Sequence, residues 1–273
     1  MRTLFLPLLF LLNLAAPAQS FEELQDAATA CFKQEDYDCT IKNLRKALKK
    51  DPTHAKAAVA WADIGTSLRR TGKREEAMEA YNEALRISPE HVKILMNRAS
   101  LKRQQGDLQG SLTDYGRVIG LAPENSEAYM ERANTKERLG DTLGEEADLV
   151  QAVKVAPKDH KVAVNLARLK KRTGRFDEAR ADLDRIIAEH PEEPIPYNNR
   201  ADLLVVTNGD LEQALRDVQK AIELKPDYGN AYVTRAEIAL AQGRKADAKA
   251  DLDKAVDVGE KKEGLTELYE KCK

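Results

Sequence analysis

The sequence predicts an all-α protein built as a solenoid of repeated helix-turn-helix units. Six prolines recur at intervals of 34 to 37 residues, namely Pro52, Pro89, Pro123, Pro157, Pro191 and Pro226. Amphipathic stretches such as Glu75 to Ile87 precede them, and a proline ends a helix because it lacks an amide proton and clashes with the preceding turn. A fixed period of this length indicates a repeat array.

One unit shows the pattern in full, with Trp61, Gly65, Leu68, Gly72, Ala77, Tyr81, Ala84 and Pro89. This spacing resembles the tetratricopeptide repeat, a helix-turn-helix motif of about 34 residues. The pattern predicts seven units, at residues 21–54, 58–91, 92–125, 126–159, 160–193, 194–228 and 229–259. The resemblance implies a right-handed superhelical solenoid in which the first helix of each unit lines a concave groove.

Small or aliphatic side chains occupy the two positions where the helices of such units pack closely. Position 8 holds Ala28, Gly65, Ala99, Ala133, Ala167, Ala201 and Ala236. Position 27 holds Ala47, Ala84, Val118, Ala152, Ile186, Ala221 and Ala255. Position 20 is usually alanine in the family, so Glu145 at that position predicts a local distortion of the fourth unit.

The first 20 residues do not fit the repeat pattern. Arg2 precedes an apolar run from Leu4 to Leu14, and Ala18 ends a segment that resembles a small-residue cleavage site. The run is too short to span a bilayer comfortably, so residues 1–20 are interpreted as a secretory signal peptide. This interpretation makes the protein exported, either periplasmic or secreted, with no transmembrane segment after cleavage. An uncleaved membrane anchor is the alternative.

Residues 260–273 are predicted to form a C-terminal capping helix. Leu265, Leu268, Tyr269 and Cys272 are spaced so that they form one apolar stripe on a helix. A terminal repeat needs such a cover because its last apolar face would otherwise meet water. Packing within this stripe accounts for Cys272.

Cys31 and Cys39 are a candidate disulfide. They occupy positions 11 and 19 of the first unit, on facing helices on either side of a turn. In an oxidising compartment such a close pair can be bridged. The alternative is that Cys31 is a small core residue and Cys39 an exposed thiol.

The sequence displays no pattern typical of an enzyme, a metal site or a cofactor site. The four histidines all fall in predicted turns between units, and no pair has metal-ligand spacing. Nucleophile elbows and phosphate-binding loops are absent from the sequence. With 44 basic and 46 acidic side chains, the net charge of −2 argues against a nucleic-acid-binding protein.

An arginine at position 7 and an aspartate at position 23 recur in several units. These positions lie on helix surfaces that pack together, which favours partly buried ion pairs that fix helix register over a ligand site. The fifth unit has Leu166 in place of the arginine, which leaves Asp182 without that partner.

Positions 2, 5, 9, 12 and 13 of each unit are expected to face the groove. The fifth unit places a basic stripe there, consisting of Lys161, Arg168, Lys171 and Arg172. The sixth and seventh units place apolar residues there, namely Ile195, Val205, Val206, Val233 and Leu240. Met96 and Met130 at position 5 of the third and fourth units are adaptable contact residues.

This surface suits an acidic protein or peptide segment with hydrophobic anchors. Four neighbouring cations should also repel one another, so an anionic partner would relieve strain. The leading hypothesis is therefore an exported, non-enzymatic scaffold that binds a protein or peptide in its groove. The alternative is a structural protein that assembles into homo-oligomers. The basic stripe can also be read as a solvated face, and the apolar residues as local packing.

We expect the mature protein to begin close to Gln19 or Phe21, because the preceding residues form the predicted signal peptide. Mass spectrometry of the exported protein measures this directly. Recovery of an intact Met1 would contradict the interpretation.

Overall fold

The computed structural model describes residues 19–273, so the cleavable segment predicted at residues 1–20 lies almost wholly outside the described residues. Within that range the chain is helical and contains no strand, which confirms the all-α prediction. The α-helices are α1 Phe21–Lys33, α2 Tyr37–Lys50, α3 Ala57–Arg70, α4 Arg74–Ile87, α5 Val92–Gln105, α6 Leu108–Leu121, α7 Ser126–Leu139, α8 Thr142–Val155, α9 His160–Arg172, α10 Phe176–Glu189, α11 Pro194–Val206, α12 Leu211–Leu224, α13 Gly229–Ala241, α14 Lys245–Asp257 and α15 Thr266–Lys271.

The chain divides into two compact units. The first ends at Asp107 and includes α1 to α5, and the second runs from Leu108 to Lys273 and includes α6 to α15. In the first unit each helix packs against the next one along the chain, and α5 also contacts α3. In the second unit the same succession continues to α14, with further contacts between α9 and α11 and between α11 and α13.

Local sequence accounts for where the helices begin and end. Ser20 Oγ accepts a hydrogen bond from the Glu23 amide at 3.0 Å, while the Glu23 carboxylate accepts one from the Ser20 amide at 2.7 Å. This reciprocal capping box satisfies two amides at the start of α1. Gly140 ends α7 with φ 74°, a left-handed conformation that glycine adopts without a steric penalty.

The residues at positions 8 and 27 of all seven predicted units are buried. The second repeat, at residues 58–91, shows why position 8 must be small. A Cβ atom at Gly65 would lie 2.8 Å from Cε1 of Tyr81, and the Tyr81 side chain is itself fully buried. Close approach of the two helices in this pair therefore requires a residue without a side chain.

In three repeats of the second compact unit, a bidentate ion pair joins the first helix to the second. Arg200 donates to both carboxylate oxygens of Asp217 at 2.7 Å. Equivalent pairs link Arg132 to Asp148 and Arg235 to Asp251. These pairs agree with the register-fixing interpretation.

Asp182, which lacks the arginine partner, is paired in another way. Lys170 on α9 donates to Asp182 at 2.8 Å, and its Nζ also lies 3.4 Å from Glu178. A lysine four residues after Leu166 lies on the same side of the helix one turn later, so it reaches the aspartate that Leu166 cannot serve.

The C-terminal segment covers the last helix pair. A 3₁₀ turn at Lys262–Leu265 leads into α15, and Leu265 is buried in a cluster that includes Tyr232 and Leu252. Leu268, Tyr269 and Cys272 pack against the same cluster. The predicted apolar stripe therefore packs where it was expected, although its last three members stay only half-buried.

The structure joins Cys31 and Cys39 in a disulfide, and Cys272 is a free thiol. Cys31 lies in the last turns of α1 and Cys39 in the first turn of α2. The bridge therefore holds together the two ends of the turn between these helices, as the sequence predicted.

We expect peptide mapping without reductant to recover Cys31 and Cys39 linked and Cys272 as a thiol. Because the closed loop is short, replacing both bridged cysteines by alanine should lower the free energy of unfolding by at most about 2.5 kcal/mol, as measured by urea denaturation. Alkylation of all three cysteines in protein that was never reduced would contradict the bridge.

Candidate partner-binding surface

Helices α9, α11 and α13 are the first helices of three successive predicted repeats, and they lie side by side in the second unit. We call the surface they form the first-helix face. It carries the predicted basic and apolar residues of the fifth to seventh repeats. Met130 is half-buried on α7 of the same unit, whereas Met96 is half-buried on α5 of the first unit.

The basic stripe on α9 is largely neutralised by acidic side chains from neighbouring helices. Arg168 lies 3.1 Å from Glu137 on α7, and Arg172 donates to Glu137 as well. Lys171 donates to Asp202 on α11. The expectation that these cations repel one another is therefore wrong, because three of the four already have carboxylate partners.

Lys161 differs from the other three cations. Its side chain is exposed and has no hydrogen bond or ion pair within the described residues, although its backbone amide donates to Asp159. It is therefore the cation of the stripe that remains available to an external anion.

Glu145 lies in the middle of a packing surface without distorting it. Its side chain is buried, and α8 continues without interruption from Thr142 to Val155. Arg172 reaches from the next repeat and donates to the buried carboxylate. The prediction that Glu145 distorts the fourth repeat is wrong, because this ion pair with the next repeat compensates the buried charge.

Burial raises the pKa of Glu145 above its ordinary value of 4.5, and the hydrogen bond from Arg172 opposes that rise. The folded state therefore binds this proton more tightly than the unfolded state does. By linkage, the buried carboxylate reduces stability as the pH rises above about 4.5, and this cost is absent where the group is protonated in both states.

Two carboxylates on the first-helix face were missed by the sequence reasoning. Asp202 on α11 and Glu237 on α13 both occupy position 9, the same repeat position as Arg168. Burial raises the pKa of Glu237, the charge of Asp202 adds to the rise, and Lys171 opposes it. Reading position 9 across all units would have revealed this surface as mixed in charge rather than basic.

The predicted apolar residues separate into two groups. Ile195 and Val206 on α11 are exposed, with 44% and 53% of their surface open to solvent. Val205 packs against the core formed by α11 to α13, and Val233 and Leu240 pack against the C-terminal cluster. Ile195 and Val206 are therefore the predicted apolar residues that lie open on this face.

Between residues 19 and 273, no helix combines the length and the apolar character needed to cross a membrane. The same range contains no group of three His, Cys, Asp or Glu side chains arranged to hold a metal ion.

The helix pairs and the buried positions they share define an all-helical repeat protein. Models of the tetratricopeptide repeat match residues 58–91, 164–206 and 206–262. The crystal structure of a tetratricopeptide repeat protein from Parabacteroides merdae is 30% identical with a TM-score of 0.80, and the match covers 93% of this chain and 99% of that one. The chain belongs to the tetratricopeptide repeat family.

Other relatives match more narrowly. Human tetratricopeptide repeat protein 36 is 38% identical over 73 residues, which are 25% of this chain and 38% of that protein. YrrB, described as a TPR protein with an unusual peptide-binding site, shares the fold with a TM-score of 0.51 at 16% identity. That match covers 69% of this chain and 95% of YrrB.

Replacing Arg172 by alanine should lower the free energy of unfolding by about 2 kcal/mol at pH 7, because the buried carboxylate of Glu145 would lose its partner. Urea denaturation measures this value. The deficit should shrink as the pH is lowered from 7, because burial raises the pKa of Glu145 above its ordinary value and the carboxylate therefore takes up a proton more readily.

The matched control is Glu145→Ala, which removes the buried charge and should stay within about 1 kcal/mol of the native protein. Combining it with Arg172→Ala should recover most of the lost stability. If the double variant is as unstable as Arg172→Ala alone, the pair does not compensate a buried charge and Arg172 acts through other contacts.

Proposed function

We propose that this protein is an exported, non-enzymatic scaffold of seven tetratricopeptide repeats that binds a protein or peptide on its first-helix face. The proposal is carried by two exposed apolar side chains, Ile195 and Val206, on α11. The neighbouring helices α9 and α13 present charged side chains on the same face. Two large aliphatic side chains left open on one helix are an energetic cost that binding a partner would remove.

The repeat positions indicate how a partner would be recognised. Lys161 and Ile195 both occupy position 2 of their repeats, so a free cation and an exposed aliphatic residue stand at equivalent places on neighbouring helices. Arg172 and Val206 likewise share position 13, but Arg172 is already paired with Glu137 and Glu145. An acidic segment with aliphatic anchors complements this surface, its carboxylate meeting Lys161 and its anchors meeting Ile195 and Val206 on α11.

The ion pairs on α9 limit what the partner's charge can contribute. A carboxylate that approached Arg168 or Arg172 would have to compete with Glu137 and Glu145. Lys161 needs no such displacement. Most of the affinity should therefore come from the apolar anchors, with Lys161 adding orientation and a moderate dependence on salt.

The family relation supports the non-catalytic part of the proposal, since tetratricopeptide repeat proteins are generally scaffolds. YrrB, a protein of the same fold, is described as having a peptide-binding site. Export follows from the signal peptide predicted at residues 1–20. A non-catalytic scaffold gains its specificity from the surface residues of its repeats rather than from the fold itself.

The double substitution Ile195→Asp with Val206→Asp should weaken partner binding more than tenfold, or about 1.4 kcal/mol, because it buries two charges where apolar anchors dock. In the experiment, the native protein and the variant are each used to capture proteins from the exported fraction. Quantitative mass spectrometry then compares how much of each captured protein is recovered. A Lys161→Glu variant should weaken the same partner separately.

The matched control is Leu143→Asp, since Leu143 is 83% exposed on α8, a second helix, and lies outside the first-helix face. A partner that binds all three variants equally would exclude this face as the binding surface.

Light scattering separates self-assembly from binding of a foreign partner. If the mass of the native protein grows with concentration and that growth is lost in the double variant, the ligand of this face is a second copy of the chain.

A further inference from the structure

A partly enclosed cavity of about 120 Å³ lies among α1, α2 and α3, in the first compact unit. The residues that line it are Ala28, Thr29, Phe32, Thr40, Leu44 and Asp63. Phe32 is 37% exposed, so part of its ring stays open to solvent. The sequence analysis counted Ala28 as a packing residue and assigned no member of this set to a binding site.

The polar groups of the wall are mostly occupied by the backbone. Thr40 Oγ1 donates to the carbonyl of Asp36 at 2.9 Å, with Ala28 O at 3.3 Å. Thr29 Oγ1 donates to the carbonyl of Gln25 at 3.0 Å. Because backbone carbonyls already occupy these hydroxyls, the wall that Phe32 and Leu44 complete is mostly apolar.

Asp63 is the one ionisable residue that lines the cavity, and its side chain is exposed. Within the described residues its carboxylate makes no ion pair or hydrogen bond. Partial burial against its neighbours raises the pKa of Asp63, while the charge of Lys93 lowers it from a distance beyond an ion pair. Because the Asp63 carboxylate is exposed and unpaired, a cation from solution can approach it directly.

Gln25 supplies a second acceptor on the same helix face. It lies one turn before Thr29 on α1, and its buried Oε1 accepts no hydrogen bond within the described part of the chain. Buried carbonyl oxygens without a donor are uncommon in folded proteins. Gln25 does not line the cavity, so its unpaired oxygen is a neighbouring acceptor and not part of the wall.

The disulfide restrains two of the helices that line the cavity. Cys31 and Cys39 directly adjoin Phe32 and Thr40 in sequence, so their bond restrains the ends of the two helices that carry these lining residues. A cavity with restrained walls binds a ligand with a smaller loss of conformational entropy.

From these observations we infer that the cavity binds the cationic side chain of a basic residue, lysine or arginine, with its aliphatic stem against Phe32 and Leu44 and its charged end on Asp63. The apolar wall fits the methylene stem, which lysine and arginine bury while the charge stays at the opening. An acidic side chain would meet the like charge of Asp63, and a purely apolar one would leave the carboxylate unpaired. Only the source of the side chain, a protein or peptide partner, rests on the proposed function.

The test titrates the full chain with n-butylammonium chloride, which reproduces a lysine side chain, and with n-propylguanidinium chloride, which reproduces arginine. The methyl signals of Ala28, Thr29, Thr40 and Leu44 are followed by NMR. 1-Butanol is the neutral isostere, and sodium chloride controls for ionic strength. We expect saturable shifts with at least one of the cations, and at least tenfold weaker binding of 1-butanol.

Asp63→Asn should weaken the cation at least tenfold, and Phe32→Ser should weaken it while leaving the carboxylate in place. Asp38→Asn is the matched control, because Asp38 is an exposed carboxylate on α2 that does not line the cavity. Binding of 1-butanol as tight as that of the cations, cation binding unchanged by Asp63→Asn, or no saturable shift with either cation would overturn the inference. The comparison of the cations with 1-butanol needs only the native protein, so it decides the matter even where a variant fails to fold.

Comparing the two cations shows whether the cavity prefers a lysine or an arginine side chain. Binding of either cation supports the inference. The titration is also independent of the surface on α9 to α13. Loss of a partner through Ile195→Asp with Val206→Asp would leave these shifts unchanged, so failure of one proposal can be told from failure of the other.

Discussion

Close approach of paired helices is the constraint on which the rest of this structure depends. Two helices can pack at a short distance only where their side chains are small, and a buried alanine or glycine at position 8 meets that requirement in every predicted repeat. The tight contact between Gly65 and Tyr81 shows how little room is left. Any polar group placed in such an interface must find its partner there, because water cannot enter.

That requirement explains the arrangement of charge. Arg200 and Asp217 satisfy each other across one helix pair, and the bidentate geometry fixes how far one helix can slide along the other. Where the arginine is missing, Lys170 takes over the aspartate. Where the carboxylate itself occupies the packing position, as in Glu145, the cation comes from the following repeat. In all three arrangements a buried carboxylate has a cationic partner, although the cation comes from a different place each time.

Much of the fold could be predicted from the sequence because its signals are local and repeated. Proline spacing predicted the helix pairs, and the apolar stripe around Leu265 predicted the C-terminal cover. The site was less predictable. The stripe on α9 looked like four unopposed cations because it was read along a single helix, while its partners Glu137 at position 12 and Asp202 at position 9 stand on neighbouring helices. The cavity at Phe32 escaped notice because three helices form it together and none shows it alone.

The ion pair between Glu145 and Arg172 has a consequence for the modularity of the array. Repeat proteins gain and lose whole units easily when each unit meets its neighbours through interchangeable apolar faces. Here the fourth repeat holds an acid that only the fifth repeat neutralises. Excising the fifth repeat, or exchanging it for a copy of another, would strand a charge in the core of the fourth. We therefore expect the fourth and fifth repeats to be exchanged only together, as one block.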